Sequence, residues 1–258
     1  MGAGKRVVVF NSKGGVGKTT TTLNLGAALQ RAGGVVRLVD LDPQGHLTRI
    51  FGLECKDVGR TAFAVYASNA PLQAEQVEQA LPEIGSLVAS HGNLMKVDSL
   101  FGKGPTVLNK LRQGLDSLDA VGERTSLVDC CPYIGVLSLS AIFAAETVLI
   151  PVSTDYLSLQ GAQQITRALK ALEPVVKRRV PRRYVLTRYD RRRKMSADIQ
   201  NRMREEFGVE LCQTLIGENV AVAMSPALGK DVFAYQSDSN GARDYQQLFE
   251  ELHAGGVL

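Results

Sequence analysis

The chain has 258 residues, 45% of them hydrophobic and 22% charged, with a formal net charge of +4. This is the balance of a globular protein large enough to bury a substantial core, and no apolar run approaches the length of a membrane span. Four cysteines, Cys55, Cys130, Cys131 and Cys212, show no Cys-x-x-Cys spacing; they fit reduced, mostly buried thiols and argue against a metal or cluster site.

Along the chain, short β-branched runs alternate with helical patterns. Strands are expected over residues 6–11, 35–40, 86–89, 126–129, 148–152, 184–187 and 211–216. Helices are expected over 18–31, 72–81, 106–118, 137–145, 157–177, 196–207 and 242–253. Such alternation predicts an α/β fold, a doubly wound and mostly parallel sheet with helices on both faces. Residues 51–104 commit to no period. No repeat or Pro/Gly/Ser-rich linker divides residues 1–258, so one domain is expected. Met-Gly-Ala-Gly-Lys-Arg leads directly into the first strand, which leaves no room for a signal peptide and implies a cytoplasmic protein.

The most informative segment is Ser-Lys-Gly-Gly-Val-Gly-Lys-Thr-Thr at residues 12–20, between an apolar strand and a helix start. In that context the backbone of Lys13, Gly14, Gly15, Val16 and Gly17 can cradle phosphate oxygens, and the helix N-terminus adds partial positive charge. Lys18 can reach the β- and γ-phosphates, the Thr19 hydroxyl can ligate Mg²⁺, and Thr20 completes the nucleotide-binding run. ATP and Mg²⁺ are the implied cofactors. Two further strands end in carboxylates: Leu38-Val39-Asp40-Leu41-Asp42-Pro43, and Ser126-Leu127-Val128-Asp129. Acids at the carboxyl edge of a parallel sheet stand where open α/β folds bind ligands, and Asp129 fits a carboxylate holding the Mg²⁺ hydration shell.

Charge is unevenly distributed. Residues 174–204 carry twelve Lys/Arg against two Asp, so this segment is about +10 and the remainder about −6. The cluster comprises Lys177, Arg178, Arg179, Arg182 and Arg183 at a helix end, then Arg188, Arg191, Arg192, Arg193 and Lys194 on a loop after a strand. With few acids among them in sequence, they are expected to bind a polyanion, namely nonspecific DNA, through phosphate contacts that read no bases. No helix-turn-helix precedes the glycine-rich loop, which argues against operator recognition.

The Lys13-Gly14-Gly15-Val16-Gly17-Lys18-Thr19-Thr20 pattern resembles the deviant P-loop (deviant Walker A) of the ParA/MinD ATPases. The resemblance extends from residue 6 to about residue 253. It implies a weak, partner-stimulated ATP hydrolase that forms a homodimer on binding ATP, with Lys13 reaching the partner subunit's nucleotide. By the same resemblance Asp42 positions the attacking water, Asp40 supports the magnesium site, and Thr187 and Arg188 contact the adenine. Where the family commonly has Ile-Pro-Arg-Asn-Val-Arg, this chain has Ile216-Gly217-Glu218-Asn219-Val220-Ala221. A ParA-type protein would be nucleoid-associated, would bind DNA as the ATP dimer, and would position or segregate a cargo through a ParB-like adaptor. A MinD-like ATPase acting at the membrane surface is the alternative, and a metallocluster carrier a weaker one. Against the membrane reading, the chain ends in Glu250-Glu251 and a glycine pair, without the basic amphipathic helix such proteins use.

Overall fold

The computed structural model describes residues 4–120, 122 and 124–258. Eight strands form one sheet: β1 (Arg6–Val9), β2 (Val36–Asp40), β3 (Glu78–Leu81), β4 (Gly85–Val88), β5 (Thr125–Asp129), β6 (Thr147–Ser153), β7 (Arg182–Tyr189) and β8 (Leu211–Gly217). Their order is β3-β4-β2-β5-β1-β6-β7-β8, and every pair is parallel except the β3–β4 hairpin. All seven expected strands are present, which confirms the doubly wound reading.

Alternation along the strands shows both faces covered. Val8, Val39 and Val128 point into a core shared with helices Ala62–Ala67, Lys110–Asp119, Val136–Ala144 and Tyr156–Val176. Their neighbours Val7, Val9, Leu38 and Leu127 point into a second core, against helices Lys18–Arg31 and Asn240–Ala254. Helix Lys18–Arg31 lies close to the sheet because Gly26 has no side chain; a Cβ there would come within 2.8 Å of Leu38 Cδ2. The terminal helix buries Tyr245, Leu248, Phe249 and Leu252 in the same core, so its apolar face is already covered. Among the described residues no helix is long and apolar enough to cross a membrane.

Three expectations are corrected. The helix expected over 72–81 is a single turn, Ala74–Val77, followed by β3. The helix over 106–118 breaks at Asn109 into Pro105–Leu108 and Lys110–Asp119. Strand β7 is two residues longer at each end than 184–187, which moves Arg182 and Arg183 from the expected helix-end group into the sheet.

The β3 correction has a tertiary cause. Arg37 on β2 is fully buried; its guanidinium donates to Glu78 at 2.8 Å, Asp119 at 2.5 Å, Ser126 Oγ at 3.2 Å and the Leu118 carbonyl at 3.2 Å. Glu78 also binds Arg124, and Asp119 binds Arg6 at 2.7 Å. A buried guanidinium requires its partners in place, and drawing Glu78 to Arg37 pins residues 78–81 as an edge strand. Gly85 supplies the turn: at φ +120° it takes a backbone conformation that side chains rarely adopt, and a Cβ would strike the Val36 carbonyl. Glu78→Ala leaves Arg37 buried with half its anionic partners, and should cost about 3–5 kcal/mol of stability in urea unfolding. Glu78→Gln should cost less, because it keeps an acceptor for the guanidinium.

Candidate functional site

The site begins with register. In the β2–β5 pairing Asp40 lies opposite Asp129, and in the β1–β5 pairing Val9 lies opposite Asp129. The last residues of three adjacent strands therefore bring two carboxylates and the start of the glycine-rich loop to one edge of the sheet. Gly15 (φ +76°) and Gly17 (φ +89°) turn the loop back onto helix Lys18–Arg31. No side chain caps this helix and its first turn has no acid, so its N-terminal amides face the cleft.

Gly14, Gly15, Gly17, Lys18, Thr19, Thr20 and Asp42 line one cavity of about 710 Å³. Lys18 Nζ donates to the Lys13 carbonyl at 3.0 Å across the loop, and burial holds its pKa below the usual lysine range. Thr19 Oγ1 donates to Asp129 Oδ2 at 2.7 Å. The other Asp129 oxygen is buried and has no hydrogen-bond partner among the described residues. A hydroxyl beside an orphaned carboxylate oxygen is a donor set that suits a hard, oxygen-liganded cation such as Mg²⁺. No group of three or more His, Cys, Asp or Glu that could hold a metal occurs among the described residues. Such an ion would therefore take its remaining ligands from phosphate and water.

Asp40 does not face the cleft. It is fully buried, Oδ1 accepts from the Asp42 amide at 3.1 Å, and Oδ2 accepts from the Thr48 amide and hydroxyl at 2.8 and 2.7 Å. Its oxygens fasten the loop after β2 and the helix His46–Ile50, so any support that Asp40 gives a magnesium site is indirect. Asp42 keeps one carboxylate oxygen on the Gln44 amide at 2.9 Å, and the Ser90 hydroxyl donates to its carbonyl at 2.5 Å.

Other expected residues fall outside the cavity lining. Val16 is buried, and its carbonyl accepts from Thr187 Oγ1 at 2.8 Å, so Thr187 braces the loop from beneath. Arg188 is exposed, in a left-handed conformation (φ 52°), and pairs with Glu218 at 3.2 Å. Lys13 Nζ contacts Asp155 at 2.5 Å and Ser158 Oγ at 2.9 Å. That pair holds the Asp155 carboxyl at about 2, against an opposing contribution from burial. Asp155, Ser158, Thr48 and Ser90 were not legible in the sequence. Asp155, Ser158 and Ser90 meet the motifs only through the fold, and nothing in the pattern around Thr48 marks it as a partner of Asp40.

The basic cluster is not one surface. The Arg182 side chain is 3% exposed and bound to Glu173 and Glu210; Arg183 binds Glu251 at 3.0 Å. Arg179 binds Glu210 at 2.6 Å, and Arg178 donates to the Ala145 carbonyl. Arg192 and Arg193 both grip Asp190, at 3.0 and 3.3 Å. The expected shortage of acids is therefore corrected, because the fold supplies glutamates from outside the segment. Lys177, Arg191 and Lys194 are exposed and make no ion pair among the described residues.

A strand, a glycine-rich turn and a helix, with a carboxylate at the neighbouring strand end, define a P-loop protein. A family model described as an AAA domain matches residues 4–180. The chain is 32% identical over 248 residues to the chromosome partitioning protein ParA of Caulobacter vibrioides, covering 95% of this chain and 92% of that one. It is 33% identical to the chromosome-partitioning ATPase Soj of Thermus thermophilus, covering 97% and 96%. The chain belongs to the ParA/Soj family. Among solved structures, McdA from Cyanothece superposes with a TM-score of 0.84 at 20% identity, covering 100% of this chain and 98% of that one. Cobyrinic acid a,c-diamide synthase from Mycobacterium smegmatis, solved with an ATP analogue and magnesium, superposes at 0.83 with 24% identity, covering 98% and 96%.

Burial is the main cause that pushes both acids up, Asp40 to about 6 with a smaller push from the nearby Asp42 charge, and Asp129 well above the usual carboxylate range with a further push from Asp40. A group whose pKa rises on folding favours the folded state most below its unfolded value, near 4, and that contribution is lost as pH climbs through the folded value. Asp129→Asn cannot ionise. Its melting temperature without nucleotide should therefore exceed that of wild type at pH 8, with the gap closing toward pH 4.5.

Proposed function

We propose that the chain is a Mg²⁺-dependent ATP hydrolase of the partitioning type, which dimerises around ATP and uses nonspecific DNA as its track. The observation that carries the reading is the convergence of Lys18, Thr19 and Asp42 on one cleft, with the orphaned Asp129 oxygen beneath Thr19. Relatives named as a chromosome partitioning protein and a chromosome-partitioning ATPase support it.

In this reading Lys18 and the loop amides bind the phosphates. Thr19 and Asp129 would hold a Mg²⁺, whose contribution there would be to neutralise phosphate charge. Asp42 orients the attacking water. Lys13 acts in trans, and to do so its ammonium must leave Asp155 and Ser158. That partly exposed pair is a weak tether, about 0–1 kcal/mol, so a partner's phosphates can displace it. Lys13→Ala should still bind ATP and remain monomeric in light scattering with ATP and Mg²⁺; a dimer as tight as wild type refutes the trans role. Asp42→Ala should accumulate the ATP-bound dimer with phosphate release largely abolished, whereas Lys18→Ala should lose nucleotide affinity.

For the DNA surface, the exposed cations after β7, chiefly Arg191 and Lys194 with Arg192 and Arg193, are the proposed phosphate contacts; Lys177 and Arg178 lie before β7, at the other end of that strand, and are left out of this surface. Arg182 and Arg183 are assigned to the fold instead. Arg191→Ala with Lys194→Ala should weaken binding to two unrelated duplexes equally. The salt slope in fluorescence anisotropy should fall by about 0.9 for each phosphate that is no longer neutralised. Arg182→Ala should lower the melting temperature. A sequence preference, or an unchanged slope in the double variant, overturns the assignment.

A further inference from the structure

The cleft contains a cation the P-loop does not supply. Its lining continues from Thr20 and Asp42 onto helix His46–Ile50, where His46 and Arg49 stand one turn apart on the same face, with Pro226 and Ala227 opposite. Asp42 is the one acid in that lining, set against Lys18 and Arg49. Arg49 is exposed, and no ion pair among the described residues engages it.

We propose that Arg49 is a further phosphate-binding residue, a cation that clamps the terminal phosphate of the nucleotide from the β2 side of the cleft. The inference rests on the ATPase reading but not on the DNA reading. Three observations carry it. The first is placement. Arg49 shares the cavity with Lys18 and Thr19 and stands on the side of Asp42 and Pro132, the ends of the β2 and β5 loops. The base is expected on the opposite side, toward β7, where Thr187 lies.

The second is rigidity. The adjacent residue, Thr48, is bound to the buried Asp40 carboxylate through both amide and hydroxyl, and its hydroxyl also accepts from the Ser90 amide at 2.9 Å. Leu47 is fully buried in the core. A five-residue helix would not hold a side chain in place by itself; here both residues before Arg49 are anchored. The buried Asp40 thus gains a purpose in the site, because it positions the backbone that carries the guanidinium.

The third is chemistry. A planar guanidinium with five donors and no protein acid to satisfy it matches phosphate oxygens bidentately. A cation in the last turn of a helix also gains from the carbonyl ends, but so short a helix has little dipole to offer. Coupling follows from the same geometry: a terminal phosphate held by Arg49 would tie helix His46–Ile50, and with it the Asp42 loop, to the nucleotide's hydrolytic state.

The test measures equilibrium affinity for ATPγS and for ADP, each with Mg²⁺, by isothermal titration in the full chain carrying Arg49→Ala or Arg49→Lys. Melting temperatures without nucleotide should match wild type, since the side chain makes no protein contact that the fold requires. Arg49→Ala should weaken ATPγS by about ten-fold or more, the loss of a charge-assisted hydrogen-bond pair, and ADP by much less. Arg49→Lys should fall between alanine and wild type, because it keeps the charge and loses the fork. Unchanged ATPγS affinity in Arg49→Ala, or equal losses for ATPγS and ADP, overturns the terminal-phosphate role. Wild type that binds neither nucleotide overturns the ATPase reading itself, an outcome distinct from any Arg49 effect.

Discussion

The parallel pairing of β2 with β5 sets Asp40 and Asp129 opposite each other at the carboxyl edge of the sheet, both fully buried. Both have lost their water, which is the main reason both are pushed upward in pKa; the Asp40 charge adds to the shift of Asp129, and the Asp42 charge to that of Asp40. Each is dealt with differently. Asp40 is satisfied by three donors from its own loop and the following helix. Asp129 receives one hydroxyl and keeps an oxygen without a partner. The strain of the pair is thus concentrated on the one group positioned to receive a cation, beside a lysine and a helix N-terminus suited to phosphate. The remaining features of the cleft, from the left-handed glycines to the placement of Asp42, serve to bring ligand charge to that point.

The opposite edge of the sheet handles buried charge by full pairing. Arg37 has every neighbour it needs in Glu78, Asp119, Ser126 and the Leu118 carbonyl, and Arg6 and Arg124 extend the network. One edge is fastened by satisfied ions and the other leaves a charge unsatisfied. This contrast separates the structural end of the sheet from its working end. The same comparison applies to the arginines around β7. Those drawn into the sheet have found glutamates from other elements, and those on the loop after it retain donors for an external anion.

Much was legible before any coordinates. The β-branched runs and their helical intervals pointed to the doubly wound sheet, because strands buried on both faces need continuous apolar runs and no tertiary contact alters that requirement. The phosphate cradle was equally plain: glycines, lysine and threonines act through backbone and side chains within nine consecutive residues, so sequence order is spatial order there. The aspartates at the ends of β2 and β5 were visible for a similar reason, since a strand end in a parallel sheet has only one place to be.

What the tertiary structure alone decided is what depends on neighbours remote in sequence. Residues 78–81 were expected to end a helix, yet they form a strand because Arg37 requires Glu78 and Gly85 permits the hairpin. The division of the basic segment into ion-paired and free cations could not be read from its composition, because Glu173, Glu210, Glu218 and Glu251 arrive from other elements. The place of Asp40 at the end of β2 is visible in the sequence, but only the fold shows Thr48 closing on it. The seating of Lys13 on Asp155, and of Arg49 in the cleft, follow the same rule. A local motif determines which groups can bind a nucleotide, but the partner of each charge is chosen by a fold that brings distant segments within a few ångströms.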